Sequence, residues 1–213
     1  MANPTAFPGD VVVSGDVRLS GSISPVQARS SLLAISELSP FVIPWTWWRV
    51  HDALQTNLPG TAATDDLALV GGTFGTASPS IQGLDFGATT TTARARVQIP
   101  LPWDYADGNT VTLRFHAGML TTVANVSCTL DVECYETDEK VGLVGSPTDL
   151  YAGAALDINS LTLADIDFTI TPTNLVAGDL LDVRITVAGD DGSSDLGAMF
   201  PVIGSVKMLY DAR

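Results

Sequence analysis

Apolar and polar residues alternate one by one along several segments of the chain. In the clearest segment, residues 126–136, the apolar positions are Val126, Cys128, Leu130, Val132 and Cys134. A period of two is typical of a β-strand with one buried face, whereas an amphipathic helix repeats every 3.6 residues. The pattern therefore predicts a strand whose apolar face packs into a core.

The same alternation predicts five more strands, near residues 93–99, 111–119, 165–170, 181–187 and 204–210. Clusters of Gly, Pro, Asn and Asp separate them, as is typical of turns and loops. Half-polar strands joined in this way predict an all-β fold, an antiparallel β-sandwich of jelly-roll-like type with an extended N-terminal arm. One short helix is considered for residues 30–38, with an extended arm as the alternative.

A glycine-punctuated six-residue unit recurs ahead of these strands, in the stretch GDVVVSGDVRLSGSIS of residues 9–24. In an extended chain its apolar positions form one line: Val11, Val13, Val17, Leu19 and Ile23. Burying five such side chains, at about 1.5 to 2 kcal/mol each, does not offset the entropy of ordering the backbone, about 1 to 2 kcal/mol per residue. We therefore expect other copies of the chain to order the repeat. The alternative is a β-hairpin that belongs to the sandwich.

The chain divides by composition into three parts. Residues 1–28 carry the repeat and are predicted to be an arm for trimerisation or attachment. Residues 29–44 contain two prolines and are predicted to be a connector, and residues 45–213 to form the sandwich.

Three tryptophans open the predicted sandwich, namely Trp45, Trp47 and Trp48. They lie too close together in sequence for all three to enter one core face. We expect them to form a seam between subunits, or between the arm and the sandwich.

The net charge of the chain restricts the classes of partner that it can bind. The 213 residues include 24 acidic and 10 basic side chains, a formal net charge of −14. Such a surface repels phosphates, so no nucleic-acid partner is expected. No apolar run reaches the ~18 residues of a membrane span, and the first residues lack the features of a secretory signal, so no membrane partner is expected either.

The two cysteines are predicted to be buried free thiols. Cys128 and Cys134 lie six residues apart on one predicted strand, about 20 Å at ~3.3 Å per residue. A disulfide needs Cα atoms within ~7 Å of each other, so these two cannot pair within that strand. Unpaired thiols are typical of synthesis in a reducing cytoplasm.

The opening GDVVVSGDVRLSGSISP resembles the repeats near the N-termini of trimeric bacteriophage fibre and head-decoration proteins. Residues 29–75 and 111–124 look like uncharacterised proteins carried in phage and prophage structural clusters. The resemblance implies a homotrimeric virion protein, a capsid decoration or cement protein that stabilises the phage head. It would be made in the host cytoplasm and would bind the major capsid protein on the capsid exterior.

Catalytic motifs are not evident in the sequence, which has no Gly-x-Ser-x-Gly, no Walker loop and no His-Glu-x-x-His. His51 and His116 are predicted to have surface or hydrogen-bonding roles. Asp165 and Asp167 have the spacing of a glycosidase pair, but alternate residues of any strand share it. The sequence therefore predicts no enzyme, no cofactor and no metal site.

Two loops are candidates for ligand binding. Trp103 and Tyr105 occupy a loop bounded by Pro and Gly, where aromatic rings can stack on sugars or anchor the loop in the sandwich. Asp190, Asp191 and Asp195 lie in a second loop that lacks the regular order of a calcium loop, so solvated carboxylates are favoured there. These loops carry the alternative function, a phage fibre head or carbohydrate-binding module that recognises a host-surface glycan.

Overall fold

The structure, a computed structural model, describes residues 38–86, 90–137, 148–192 and 199–213. Within them the only helix is a 3₁₀ turn, Trp45–Trp47, and no helix is long and apolar enough to cross a membrane. The strands are β1 (Ser39–Val42), β2 (Arg49–Val50), β3 (Ala53–Asn57), β4 (Asp65–Asp66), β5 (Ala68–Val70), β6 (Ser80–Gln82), β7 (Thr91–Pro100), β8 (Val111–Met119), β9 (Ser127–Thr137), β10 (Leu156–Asp157), β11 (Ala164–Ile170), β12 (Leu180–Asp190) and β13 (Pro201–Tyr210).

Two sheets form the sandwich. The six-stranded sheet has the order β11-β8-β13-β6-β5, with β1 also paired to β13. The seven-stranded sheet has the order β10-β9-β12-β7-β2-β3, with β4 paired to β7. Among the described strands all pairings are antiparallel except that of β4 with β7. The long strands β7, β8, β9, β11, β12 and β13 alternate between the sheets, as in a jelly roll.

The all-β sandwich prediction is confirmed, and each of the six predicted strands is present. Along β9 and β12, buried and partly exposed residues alternate without interruption. The inward positions of both sheets, such as Phe115, Phe168, Val183 and Ile185, are fully buried. Burying an apolar side chain of this size contributes about 1.5 to 3 kcal/mol, so the alternation itself fixes which face of each strand packs inward.

Two details of the strand pattern differ from the prediction. Val126 is 61% exposed because it lies just before the first residue of β9. Its N–H donates a hydrogen bond to the carbonyl of Asp190. In β13 the pairing shifts between Ile203 and Ser205, a bulge that interrupts the alternation. A bulge of one residue moves the following side chains to the other face, so the apolar positions on either side of it fall out of step.

The last residues of the predicted connector belong to the six-stranded sheet. Residues 39–42 form β1, in which Ser39 pairs with Tyr210 and Val42 with Lys207. Proline favours a connector, but Pro40 lies on a strand that pairs on one side only within the described residues, and edge strands tolerate proline. The predicted arm, residues 1–28 with Val11, Val13, Val17, Leu19 and Ile23, lies outside the described residues, as does most of the helix considered at 30–38.

Candidate functional site

A row of polar side chains crosses the outer face of the seven-stranded sheet. Cross-strand pairing places Glu133, Arg184, Arg96, Arg49 and Asn57 side by side on β9, β12, β7, β2 and β3. With ~4.8 Å between neighbouring strands the row is about 19 Å long. The four charged residues alternate with buried residues on their strands, so the packing of the sandwich fixes their outward position.

Ion pairs order the β9–β12–β7 part of this row. Arg96 donates from Nε to Oδ1 of Asp182 over 2.6 Å and from Nη2 to the other carboxylate oxygen. This hydrogen bond raises the pKa of Arg96 above its ordinary value. Arg184 donates from Nε to Oε2 of Glu133 over 2.6 Å. Charge-assisted bonds of this kind hold the guanidinium groups in fixed orientations.

The row ends at a groove of about 430 Å³, which we call the outer-face groove. It is lined by Trp47, Arg49, Leu54, Gln55 and Gln98. Trp47 comes from the 3₁₀ turn, Arg49 from β2, Leu54 and Gln55 from β3, and Gln98 from β7. The pairing of β2 with both β3 and β7 brings these separate segments together.

The three tryptophans predicted to form a seam have different environments. Trp48 is 1% exposed and packs against Phe115 with ring centroids 6.3 Å apart, so this side chain belongs to the core and does not reach a partner. Trp45 is partly buried and packs against the core. Trp47 is 36% exposed and lies beside Phe41, with centroids 6.0 Å apart. A seam formed by Trp45 and Trp47 stays a prediction.

Arg49 is held in the groove through one nitrogen. Its Nη1 donates to the carbonyl of Thr46 over 2.7 Å and to Oδ1 of Asn57 over 2.6 Å, with a longer contact to the carbonyl of Trp48. All three acceptors are neutral. The groove thus combines an indole ring, two amide side chains and a positively charged guanidinium.

Trp103 and Tyr105, predicted to share a ligand loop, point in opposite directions. Trp103 is 81% exposed, whereas Tyr105 is fully buried in the core. The hydroxyl of Tyr105 donates to the carbonyl of Asn109, and burial raises its pKa above the ordinary value. Tyr105 therefore anchors the loop, one of the two roles considered for this pair, and of the two rings only that of Trp103 is exposed to a ligand.

The predicted acidic loop is only partly described. Asp190 ends β12 and accepts hydrogen bonds from the N–H of Gly192 over 2.8 Å and from the hydroxyl of Thr90 over 3.3 Å. Asp191 is 1% exposed, which contradicts a loop of solvated carboxylates at this position. Asp195 lies outside the described residues.

The aspartate pair on β11 makes ion pairs with β8. Arg114 donates from Nε and Nη2 to the two oxygens of Asp167, both over 2.7 Å. His116 Nδ1 lies 2.9 Å from Oδ1 of Asp165. This hydrogen bond, with a smaller contribution from the charge of Arg114, lowers the pKa of Asp165. Both carboxylates thus have cross-strand partners.

A second group of titratable side chains lies at the turn between β2 and β3. His51 Nε2 is 2.8 Å from Oδ2 of Asp65, which also pairs with Arg94. One potential ligand atom from each of His51, Asp52 and Asp66 lies within 4.8 Å of the others. No sequence pattern indicates this group, because it forms only when β2 and β4 both pair with β7.

Comparison with known proteins gives no family and no curated relative for this sequence. Solved structures with a similar arrangement include the xylan-binding module CBM15, with 15% identity, a TM-score of 0.42, and coverage of 83% of this chain and 99% of that chain. TmCBM61 in complex with β-1,4-galactotriose has 10% identity, a TM-score of 0.33, and coverage of 62% and 70%.

A chain of infectious bursal disease virus, Gx strain, has 11% identity and a TM-score of 0.32. The match covers 70% of this chain and 38% of the viral one. At 10 to 15% identity these likenesses concern the fold alone.

Proposed function

We propose that the chain is a non-enzymatic binding protein that recognises carbohydrate in the outer-face groove. The observation that carries this proposal is the meeting of the half-exposed indole of Trp47 with the side chains of Arg49, Gln55 and Gln98 in one open groove. A sugar ring has apolar C–H faces and a rim of hydroxyls. The groove offers a partner for each, an aromatic plane for the face and donors and acceptors for the hydroxyls.

Rigidity supports the same proposal. Arg49 is fixed by its hydrogen bonds to Thr46 and Asn57, and Gln98 lies on the long strand β7, whose backbone pairs with β12 over its full length. A site held by strands loses little conformational entropy when a ligand binds. An open groove on a sheet also admits a chain of sugars, because neither end is closed.

Glycan binding with matched variants tests the proposal. The full chain is applied to an array of bacterial and plant oligosaccharides, together with Trp47→Ala and Trp103→Ala. Binding that is lost in Trp47→Ala and kept in Trp103→Ala supports the groove. Binding lost only in Trp103→Ala moves the site to the loop that precedes β8, and the absence of binding to any glycan overturns the proposal.

A second candidate function is that of a homotrimeric capsid decoration protein on the exterior of a phage head. It is favoured by the six-residue repeat of residues 9–24 and by the resemblance of that repeat to phage fibre and head-decoration proteins. The mechanism is adhesion, in which apolar side chains of the arm are buried between copies of the chain and against the major capsid protein. A displayed sandwich that binds glycan is compatible with this role.

Light scattering tests the second candidate on the full chain and on a chain lacking residues 1–24. A mass near three times 22.3 kDa for the full chain, lost on truncation, supports assembly through the repeat. Co-sedimentation of the full chain with capsid shells, and its loss on truncation, supports attachment. Two monomers that do not bind shells contradict this candidate and leave the glycan-binding proposal intact.

A further inference from the structure

We infer that the outer-face groove selects an acidic sugar and that Arg49 binds its carboxylate. The inference rests on the proposed function, and it names the class of glycan. The ligand is an oligosaccharide that carries a carboxylate on a ring, such as a uronic acid or a sialic acid. The side chains of Gln55 and Gln98 bind neighbouring hydroxyls, and Trp47 contacts the face of the ring.

Arg49 differs from the other described arginines in the partners of its guanidinium group. Within the described residues, every other arginine forms an ion pair with a carboxylate. These pairs are Arg94–Asp65, Arg96–Asp182, Arg114–Asp167, Arg184–Glu133 and Arg213–Asp107. Arg49 has only neutral partners there. Its positive charge is therefore uncompensated by any described carboxylate contact, in a chain that carries a net charge of −14.

The free edge of Arg49 has the geometry that binds carboxylates elsewhere in this fold. Arg96 and Arg114 each hold an aspartate through Nε and Nη2, in a two-pronged arrangement. Arg49 makes all its hydrogen bonds through Nη1, so Nε and Nη2 have no partner among the described residues. A planar guanidinium presents these two donors in parallel, which matches the two oxygens of a carboxylate.

The net charge of the chain further restricts the number of negative charges that the ligand can carry. A run of phosphates or sulfates extends past the single guanidinium of the groove, over the surface of a chain whose net charge is −14, and is repelled there. A single carboxylate on a mostly neutral sugar experiences mainly the nearby guanidinium, because a surface charge is screened beyond about 8 Å at physiological ionic strength. An isolated carboxylate fits both conditions.

Titration calorimetry with paired ligands tests the inference. The ligands are cellobiouronate against cellobiose, and sialyllactose against lactose, so that each acidic sugar carries one carboxylate. Each is measured with the full chain and with Arg49→Gln, Arg49→Lys and Arg213→Gln. We expect the acidic member of at least one pair to bind about 10- to 100-fold more tightly than its neutral partner. Arg49→Gln should remove that preference, so that the acidic and neutral members of the pair bind it with affinities within about threefold of each other. Arg49→Lys should retain part of the preference, since it keeps the charge and loses the fork.

Each result has a distinct meaning. Arg213→Gln is the matched control, since it removes an exposed arginine paired with Asp107 near the C-terminus, and it should keep the full preference. Neutral and acidic sugars that bind equally, or a preference unchanged in Arg49→Gln, overturn the inference while the proposed function stands. No binding by any of the four ligands, together with no binding on the glycan array, overturns the proposed function itself. Thermal melts of each variant confirm that the fold is retained.

Discussion

The ring of Phe86 lies directly over Gly189, in the space that a side chain at position 189 would need. Gly189 faces the core near the end of β12, and Phe86 is 5% exposed there. Phe86 thus fills the gap in the inward row of β12 that follows Val187.

Gly189→Ala should therefore destabilise the fold, because the added methyl group overlaps the Phe86 ring. We expect a loss of about 1 to 3 kcal/mol in the free energy of unfolding, typical of an overpacked core, measured by urea denaturation. Gly60→Ala is the matched control, since nothing lies within 4 Å of the added carbon, and its stability should stay within about 0.5 kcal/mol of the parent chain. Equal stability of the two variants would contradict this packing.

The neighbouring tryptophans Trp47 and Trp48 should differ sharply in their contribution to stability. Trp48→Ala leaves a cavity beside Phe115 and should cost about 3 to 5 kcal/mol, whereas Trp47→Ala should cost far less because its ring is half-exposed. Trp48→Phe should recover part of the loss, since it restores volume and removes a buried indole N–H that has no hydrogen-bond partner among the described residues. Denaturation of the three variants checks the order, and a Trp47→Ala variant as unstable as Trp48→Ala would refute it.

The two thiols should be inert in the folded protein. Burial raises the pKa of Cys128 to about 12 and also raises that of Cys134. Thiolate is the reactive form, so neither thiol should react with Ellman's reagent at mildly alkaline pH, while both should react after unfolding in guanidinium chloride. Counting released thionitrobenzoate in the two conditions tests this. Rapid reaction of either native thiol would show that the inward face of β9 is accessible.

The Asp165–His116 pair predicts a defined response to acid. The folded-state pKa of Asp165 is lowered, chiefly by the hydrogen bond from His116. The stabilisation is therefore complete above the unfolded pKa, about 3.9, and is lost as the pH falls through the lower folded value. Carboxyl NMR titration should show Asp165 titrating below the ordinary aspartate range.

His116→Ala should move the Asp165 titration to higher pH, because it removes the hydrogen bond that is the main cause of the lowered pKa. Arg114 also faces Asp165, at 3.6 Å, so part of the downward shift should persist in that variant. A titration midpoint for Asp165 at or above the ordinary range in the parent chain would contradict the assignment.

The long strands could be predicted from the sequence because their burial is decided locally. Every second residue of β9 and β12 faces the core, so the sequence itself records the two faces. The strands β2 to β6 contain two to five residues each, too few to establish a period. The pairing of β2 and β4 with β7, and of β6 with β13, joins segments that are distant in sequence. β1 was missed because Pro40 favours a connector over a strand.

The outer-face groove could not be predicted from the sequence, because its lining residues come from separate segments of the chain. The tryptophan cluster was recognisable as unusual, but which indole points outward depends on the 3₁₀ turn that precedes β2. Gln98 and Gln55 reach Trp47 only through the pairing of β7 and β3 with β2. No sequence pattern distinguishes Gln55 and Gln98 from glutamines that are simply exposed to solvent. Conversely, the loop that carries Trp103 and Tyr105 was a candidate ligand loop in the sequence, but the fold buries Tyr105 in the core, where this ring anchors the loop.

The pairing of Ser39 with Tyr210 has a mechanical consequence. Because β1 and β13 are antiparallel, the first residue of β1 lies beside the last residue of β13. Tension applied to the chain before Ser39 and after Tyr210 acts on the same end of this pair. The inter-strand hydrogen bonds would then break one after another from Ser39 towards Val42, rather than sharing the load. β1 should detach at low force, while β13 remains held by its nine-residue pairing with β8.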